Sequence, residues 1–131
     1  MENLLRAALI DWLRAAPELA GLNAIEEESP LRASAPWLGI AASASTDWGS
    51  KDRAGREVRI ALELVTRGDD AAHDAGLIRA IEERCQNVPS QQTGFQIVTA
   101  RFLRSRAERR DKNLRAALIE FRFQTLATPT E

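Results

Sequence analysis

Residues 56–67, REVRIALELVTR, change character at almost every step. Val58, Ile60, Leu62 and Leu64 point one way, and Glu57, Arg59, Ala61 and Glu63 point the other. A period of two is the periodicity of a β-strand. One apolar and one polar side fit an antiparallel sheet that is covered on a single face. The remaining residues must therefore supply partner strands and a cover for that face.

Two segments read as the cover. In MENLLRAALIDWLRAAPELAG, Leu5, Ala8, Leu9, Trp12, Leu13 and Ala16 fall at helical spacing, and Pro17 ends the helix. Trp12 lies on this stripe and is expected in the core. In DDAAHDAGLIRAIEERCQNV, the apolar Leu77, Ile78, Ile81, Cys85 and Val88 mark a second stripe, with Arg84 inside it. Asp69 or Asp70 suits its N-cap, because a carboxylate accepts hydrogen bonds from free backbone N–H groups. Pro89 stops it.

Three further runs read as partner strands. WLGIAASAS is a loosely alternating strand of small residues, followed by the polar turn TDWGSKDRAG. FQIVTARFLRSRA and LRAALIEFRFQTL flank ERRDKN, the pattern of a hairpin. Ile25 marks a short edge strand, and EEESPLRASAP reads as loop. The tail, residues 127–131, is expected to fray. The predicted order is α-β-β-β-α-β-β. It makes one α+β domain over residues 1–131, an antiparallel sheet of four to five strands packed by two helices, with a long C-terminal hairpin.

Composition narrows the function. The 131 residues are 44% hydrophobic and 28% charged, with a formal net charge of -1. A dedicated nucleic-acid binder shows a clear basic excess, and this chain has none. The charge is unevenly spread: residues 1–100 hold ten Lys or Arg against fifteen Asp or Glu, and residues 101–131 hold eight against four. A balance of -5 followed by +4 can steer two copies together. The single Cys85 excludes an internal disulfide and a cysteine-rich zinc site, and reads as a buried structural thiol. His73, the one histidine, reads as solvated near a helix start. GSKDRAG lacks the phosphate-loop pattern, and no nucleophile elbow is present. No catalytic, cofactor or metal site is expected, and neither a signal peptide nor a membrane span is read from the apolar pattern.

The hairpin RFLRSRAERRDKNLRAALIEFRF, residues 101–123, concentrates the cations: Arg101, Arg104, Arg106, Arg109, Arg110, Lys112 and Arg115 precede Arg122. Strict alternation puts Phe102, Arg104 and Arg106 on one face and Arg101, Leu103 and Ser105 on the other. Ile119, Phe121 and Phe123 share a face of the returning strand. Arg109, Arg110, Asp111 and Lys112 are read as the connection. Three readings stand: a solvated tip with cross-strand charge pairs, a surface that meets another subunit, and direct contact with nucleic acid. Arginine suits the second, because its fork pairs bidentately with carboxylates. Glu26, Glu27 and Glu28, or Asp69 and Asp70, would supply them. Taken by itself, the acidic run Glu26–Glu28 reads first as a solvated loop and second as a partner surface. Trp48, a large ring in a polar turn, either folds back onto the domain or anchors an interface.

The succession of PELAGL, SAPWLGI, REVRIALELVTR, HDAGLIRAIEERC, FQIVTARFLRSR and RAALIEFRF resembles the phage tail-completion proteins of domain-of-unknown-function family 3168. It is especially similar to those of alphaproteobacterial gene transfer agents. The likeness spans roughly residues 2–126. It implies a tail terminator or head-to-tail joining protein that forms a ring, commonly a hexamer, caps the tail tube and docks it to the head connector. Implied partners are copies of itself, the tube protein and a connector or stopper protein, without cofactor or membrane. DNA would pass through the ring without being specifically bound. The implied location is the cytoplasm during assembly, then the particle. By this likeness the hairpin carries subunit or tube contacts, and the loop Thr46–Gly55, with Trp48, Lys51 and Arg53, is a second contact. PWLGIAASAS departs from the family, whose corresponding strand is rich in aromatic and β-branched residues. A small nucleic-acid-binding module using the basic hairpin is the alternative.

Overall fold

A computed structural model of the chain describes residues 1–30, 32–68 and 71–129. The elements are α1 (Glu2–Arg14), a short 3₁₀ turn (Pro17–Leu19), β1 (Ala24–Glu26), β2 (Trp37–Asp47), β3 (Gly55–Arg67), α2 (Ala71–Gln86), β4 (Phe95–Arg110) and β5 (Leu114–Ala127). They build one five-stranded sheet in the order β1-β2-β3-β5-β4 with both helices on one face.

β3 sits at the centre as its alternation demands. Val58, Ile60 and Leu62 are fully buried, and they lie opposite Phe123, Phe121 and Ile119 of β5. On the helical side, Leu5, Leu9, Ile10 and Leu13 of α1 and Ile81 and Cys85 of α2 close the core. Ile10 belongs to that face although the predicted stripe omits it. The helix ends before Pro17 for the expected reason: Ala16 is already extended (ψ 118°), the conformation a following proline favours. The two helices are tied by Trp12 and Arg84. The indole N–H donates to the Arg84 carbonyl at 2.7 Å, and Arg84 Nε donates to the Trp12 carbonyl at 2.8 Å. The guanidinium also covers the ring at 3.4 Å from its centroid. Trp12 is therefore half-buried at the rim of the core.

The structure departs from the sequence reading at four places. The sheet is mixed, since β1 runs parallel to β2 over the pairs Ala24↔Trp37 to Glu26↔Gly39. The crossing segment passes close over β2: a Cβ on Gly39 would lie 2.8 Å from the Glu28 carbonyl oxygen. Second, Arg109 and Arg110 belong to β4, paired with Arg115 and Leu114, so the connection shrinks to Asp111–Asn113. So tight a turn needs left-handed backbone, found at Lys112 (φ 61°) and Asn113 (φ 60°). The Lys112 and Asn113 carbonyls accept from Arg67 Nη1 at 3.3 Å and the Gly68 N–H at 3.0 Å. Third, a bulge between Phe102 and Arg104 breaks strict alternation. Phe102 consequently faces the core beside Phe121, while Arg104 and Arg106 share the opposite face with Glu120 and Leu118. Fourth, the expected frayed tail is held at its start. The Ala127 N–H donates to the Ala54 carbonyl at 2.8 Å, and the Thr128 N–H to the Gly94 carbonyl at 3.1 Å. The proposed caps Asp69 and Asp70 lie outside the described residues.

Candidate assembly surface

One sheet face is packed by the helices; the other is open except where the segment after β1 crosses it, with the Ser29 hydroxyl donating to the buried Glu63 at 3.4 Å. The open face carries Glu57, Arg59, Ala61 and Glu63 of β3, their neighbours Glu120 and Arg122 of β5, and Arg101, Arg104, Arg106 and Arg110 of β4. Registry brings these charges together. Arg104 pairs with Glu120, Arg110 with Glu63 at 2.6 Å and with Glu108 at 3.0 Å, and Arg122 lies 3.9 Å from Glu57. Arg115, on the helical side, holds Asp74 of α2 at 2.7 Å. Much of the hairpin's positive charge is thus answered within the chain. The side chains of Arg101 and Arg106 are exposed and form no hydrogen bond or ion pair among the described residues, although the charge of Arg106 is felt by Glu120.

The other candidate residues are distributed differently. Glu26 and Glu27 face Arg14 at 2.9 Å and Arg6 at 3.9 Å, and Glu28 is exposed. Arg53 grips the end of β5: Nε and Nη2 donate to the Ala127 carbonyl at 3.0 and 2.7 Å. Lys51 is exposed, and Trp48 is half-buried, with its backbone N–H bonded to the Gly55 carbonyl at 3.1 Å. The structure brings Arg104 and Arg110 together with carboxylates on one face. It leaves Lys51, Trp48 and Lys112 at two separate turns. Glu63, Glu120 and Asp74, the carboxylates that receive the arginines, were missed by sequence reasoning. Their charge opposite an arginine-rich strand is a signal, but only the register says which pairs meet.

Two carboxylates record this environment. Glu120 is held below its ordinary value of 4.5, first by the hydrogen bond from Arg104 and then by nearby arginine charge. Glu2 is lowered chiefly by hydrogen bonds from Ser43 and Ser45. A carboxylate with a depressed folded pKa contributes stability that is present above its unfolded value and lost as pH falls through the folded value. Stability should therefore decline below pH 4.5, and the double variant Glu2→Gln, Glu120→Gln should flatten that limb. Urea midpoints measured from pH 5.5 down to pH 3 (roughly, the window of carboxylate titration) check this. An acid limb identical in the variant would refute it. Cys85 is fully buried, and burial pushes its thiol well above the ordinary range, so it stays an unreactive core residue.

Among the described residues no cluster of three or more His, Cys, Asp or Glu is arranged to hold a metal ion, and no helix is long and apolar enough to cross a membrane. The prominent surfaces are two sheet edges and an ion-paired sheet face. The family model described as Tail completion protein gp17 matches residues 7–126, and the chain belongs to that family. Its role is accordingly structural, in completing a tail, and it is not an enzyme. Among solved structures, the chain is similar to one in the virion of a native gene transfer agent particle. The TM-score is 0.82 at 21% identity, covering 96% of this chain and 97% of that one. A second solved structure has a TM-score of 0.56 at 15% identity, covering 100% of this chain and 98% of the other. A search of curated proteins found no match.

Proposed function

We propose that copies of this protein close into a ring, a hexamer, at the head-proximal end of a tail tube, where the ring ends tube growth and seats the head connector. The match of residues 7–126 to the tail-completion family carries this reading. The fold likeness to a chain of a gene transfer agent virion supports it. Its partners are then the tube protein and a connector or stopper protein. It assembles in the cytoplasm and ends in the particle. The nucleic-acid alternative loses its ground, because Arg104, Arg110 and Arg115 are engaged by Glu120, Glu63 and Asp74. Phosphate binding along this strand would have to displace those pairs.

The test is tube assembly with and without the protein, followed by negative-stain imaging. The expected result is a disc at one end of each tube, with tubes that stop lengthening once capped. Tubes that grow uncapped at every concentration of the protein would refute the reading.

A further inference from the structure

We propose that neighbouring copies join by strand pairing: the outer edge of β4 in one copy adds antiparallel to the outer edge of β2 in the next. The inference rests on the ring reading above and goes further by naming the surfaces.

Each edge offers an unpaired stretch, in different ways. β1 pairs with β2 from Trp37 to Gly39, which leaves the outward side of Ala42–Asp47 without a partner strand among the described residues. That stretch, Ala-Ser-Ala-Ser-Thr-Asp, follows the bulge between Ile40 and Ala42 and has no bulge, proline or cation of its own. Natural edge strands are protected by such features, and an edge without them is a template for another strand. At the far side of the sheet, β4 runs 16 residues. Its outer edge is occupied at the start, where the Ile97 N–H donates to the Ser90 carbonyl at 2.7 Å and Gln91 bridges to Gln96, and at Phe102, whose N–H donates to Gln86 Oε1 at 3.4 Å. Both bulges fall before Arg104, and beyond them residues 104–108 are regular and, among the described residues, pair with β5 alone. β4 also carries two exposed large apolar side chains, Val98 at 47% and Leu103 at 37%. β2 answers with exposed Ala41, Ala42 and Ala44.

Charge selects the occupant. Pairing β4 with a second β4 would set arginine rows against each other, which is unfavourable across a strand pair. β2 offers no cation and ends on exposed Asp47. Direction agrees as well. β2, β3, β5 and β4 alternate, so the two outermost of these four strands run opposite ways. A rotation that carries one copy onto the next then lays β4 antiparallel to β2. The contact uses two different surfaces, as ring closure requires.

Ala42, Ala44 and Thr46 share the open face with Arg104, Arg106 and Glu108. Facing residues on adjacent antiparallel strands have the Cα spacing a disulfide needs. Ala44→Cys is therefore combined in turn with Arg104→Cys, Arg106→Cys and Glu108→Cys, and each double variant is oxidised after assembly on tail tubes. The native Cys85 is fully buried and stays silent. Each variant must retain the melting transition of the parent, and three pairs guard against one that does not fold. The expected result is a covalent ladder that ends at the ring number in at least one double variant, with each single variant monomeric on a denaturing gel. Rings visible on the tubes without any ladder would overturn the pairing and leave the ring reading intact. Dimers from Ala44→Cys alone, or links to the tube protein alone, would overturn it as well. Tubes without rings would remove the ring reading, and the inference with it.

Discussion

Phe121→Ala is expected to lower the unfolding free energy by about 3–5 kcal/mol, the range for truncating a buried aromatic ring. Phe121 is fully buried at the middle of β5. Its ring meets Phe102 edge-on, with centroids 5.9 Å apart and planes at 67°, and Phe123 at 6.1 Å. On its other side lies Ile60 of β3. Truncation leaves a cavity among three strands and removes the ring against which Phe102 of β4 packs. Domains of this size are stable by about 5–15 kcal/mol, so the loss is a large fraction of the total. The melting temperature should fall by roughly 10–20 °C. Urea unfolding followed by tryptophan fluorescence measures it, and a loss under about 1 kcal/mol would contradict the packing described.

Gly55→Val should be the most damaging change at any glycine of the sheet. A Cβ built there lies 2.6 Å from the Thr125 carbonyl oxygen, 2.8 Å from Leu126 Cδ2 and 3.3 Å from the Gly49 Cα. The oxygen belongs to the β3–β5 ladder, and Gly55 itself pairs with Leu126 in that ladder. Neither backbone can retreat without breaking the pairing that centres the sheet. The same region holds the Arg53 grip on Ala127 and the Ala54–Ala127 hydrogen bond, so the strain would spread into both. An expected cost of about 1–3 kcal/mol follows from overpacking. Gly21→Ala is the control, since nothing lies within 4 Å of a Cβ at that position. It should change stability by less than about 0.5 kcal/mol. Equal melting temperatures for the two variants would show that the close approach at Gly55 is not a constraint.

The elements whose signal is local were legible in the sequence. Alternation at Val58–Leu64 and at Ile119–Phe123 named the two central strands and their buried sides. Helical spacing at Leu5, Leu9 and Leu13, and at Ile81 and Cys85, named the cover. Features that depend on pairing were not legible. The bulge at Phe102–Arg104 inserts a residue without glycine or proline to mark it, so strict alternation misassigned Phe102 to the arginine face. The direction of β1 depends on how ten residues cross over, and a three-residue strand records nothing of that. Cation-rich β4 was plain to see, but its partners Glu63 and Glu120 lie on other strands, and only register brings them near. Arg53 looked like a loop cation free for another protein, and its engagement with the Ala127 carbonyl is a contact across 74 positions.

Strand order carries one more consequence, for how the protein is made. β5 lies between β3 and β4, yet it is the last of the three to leave the ribosome. Until residues 114–127 have been synthesised, β3 lacks one neighbouring strand and β4 lacks the strand it pairs with along its length. At about 5–20 residues per second, the nascent chain spends seconds in that half-built condition. In that interval the edges of β3 and β4 that β5 will occupy are bare, and bare strand edges are where unfinished chains aggregate. Completion of β5 closes both at once.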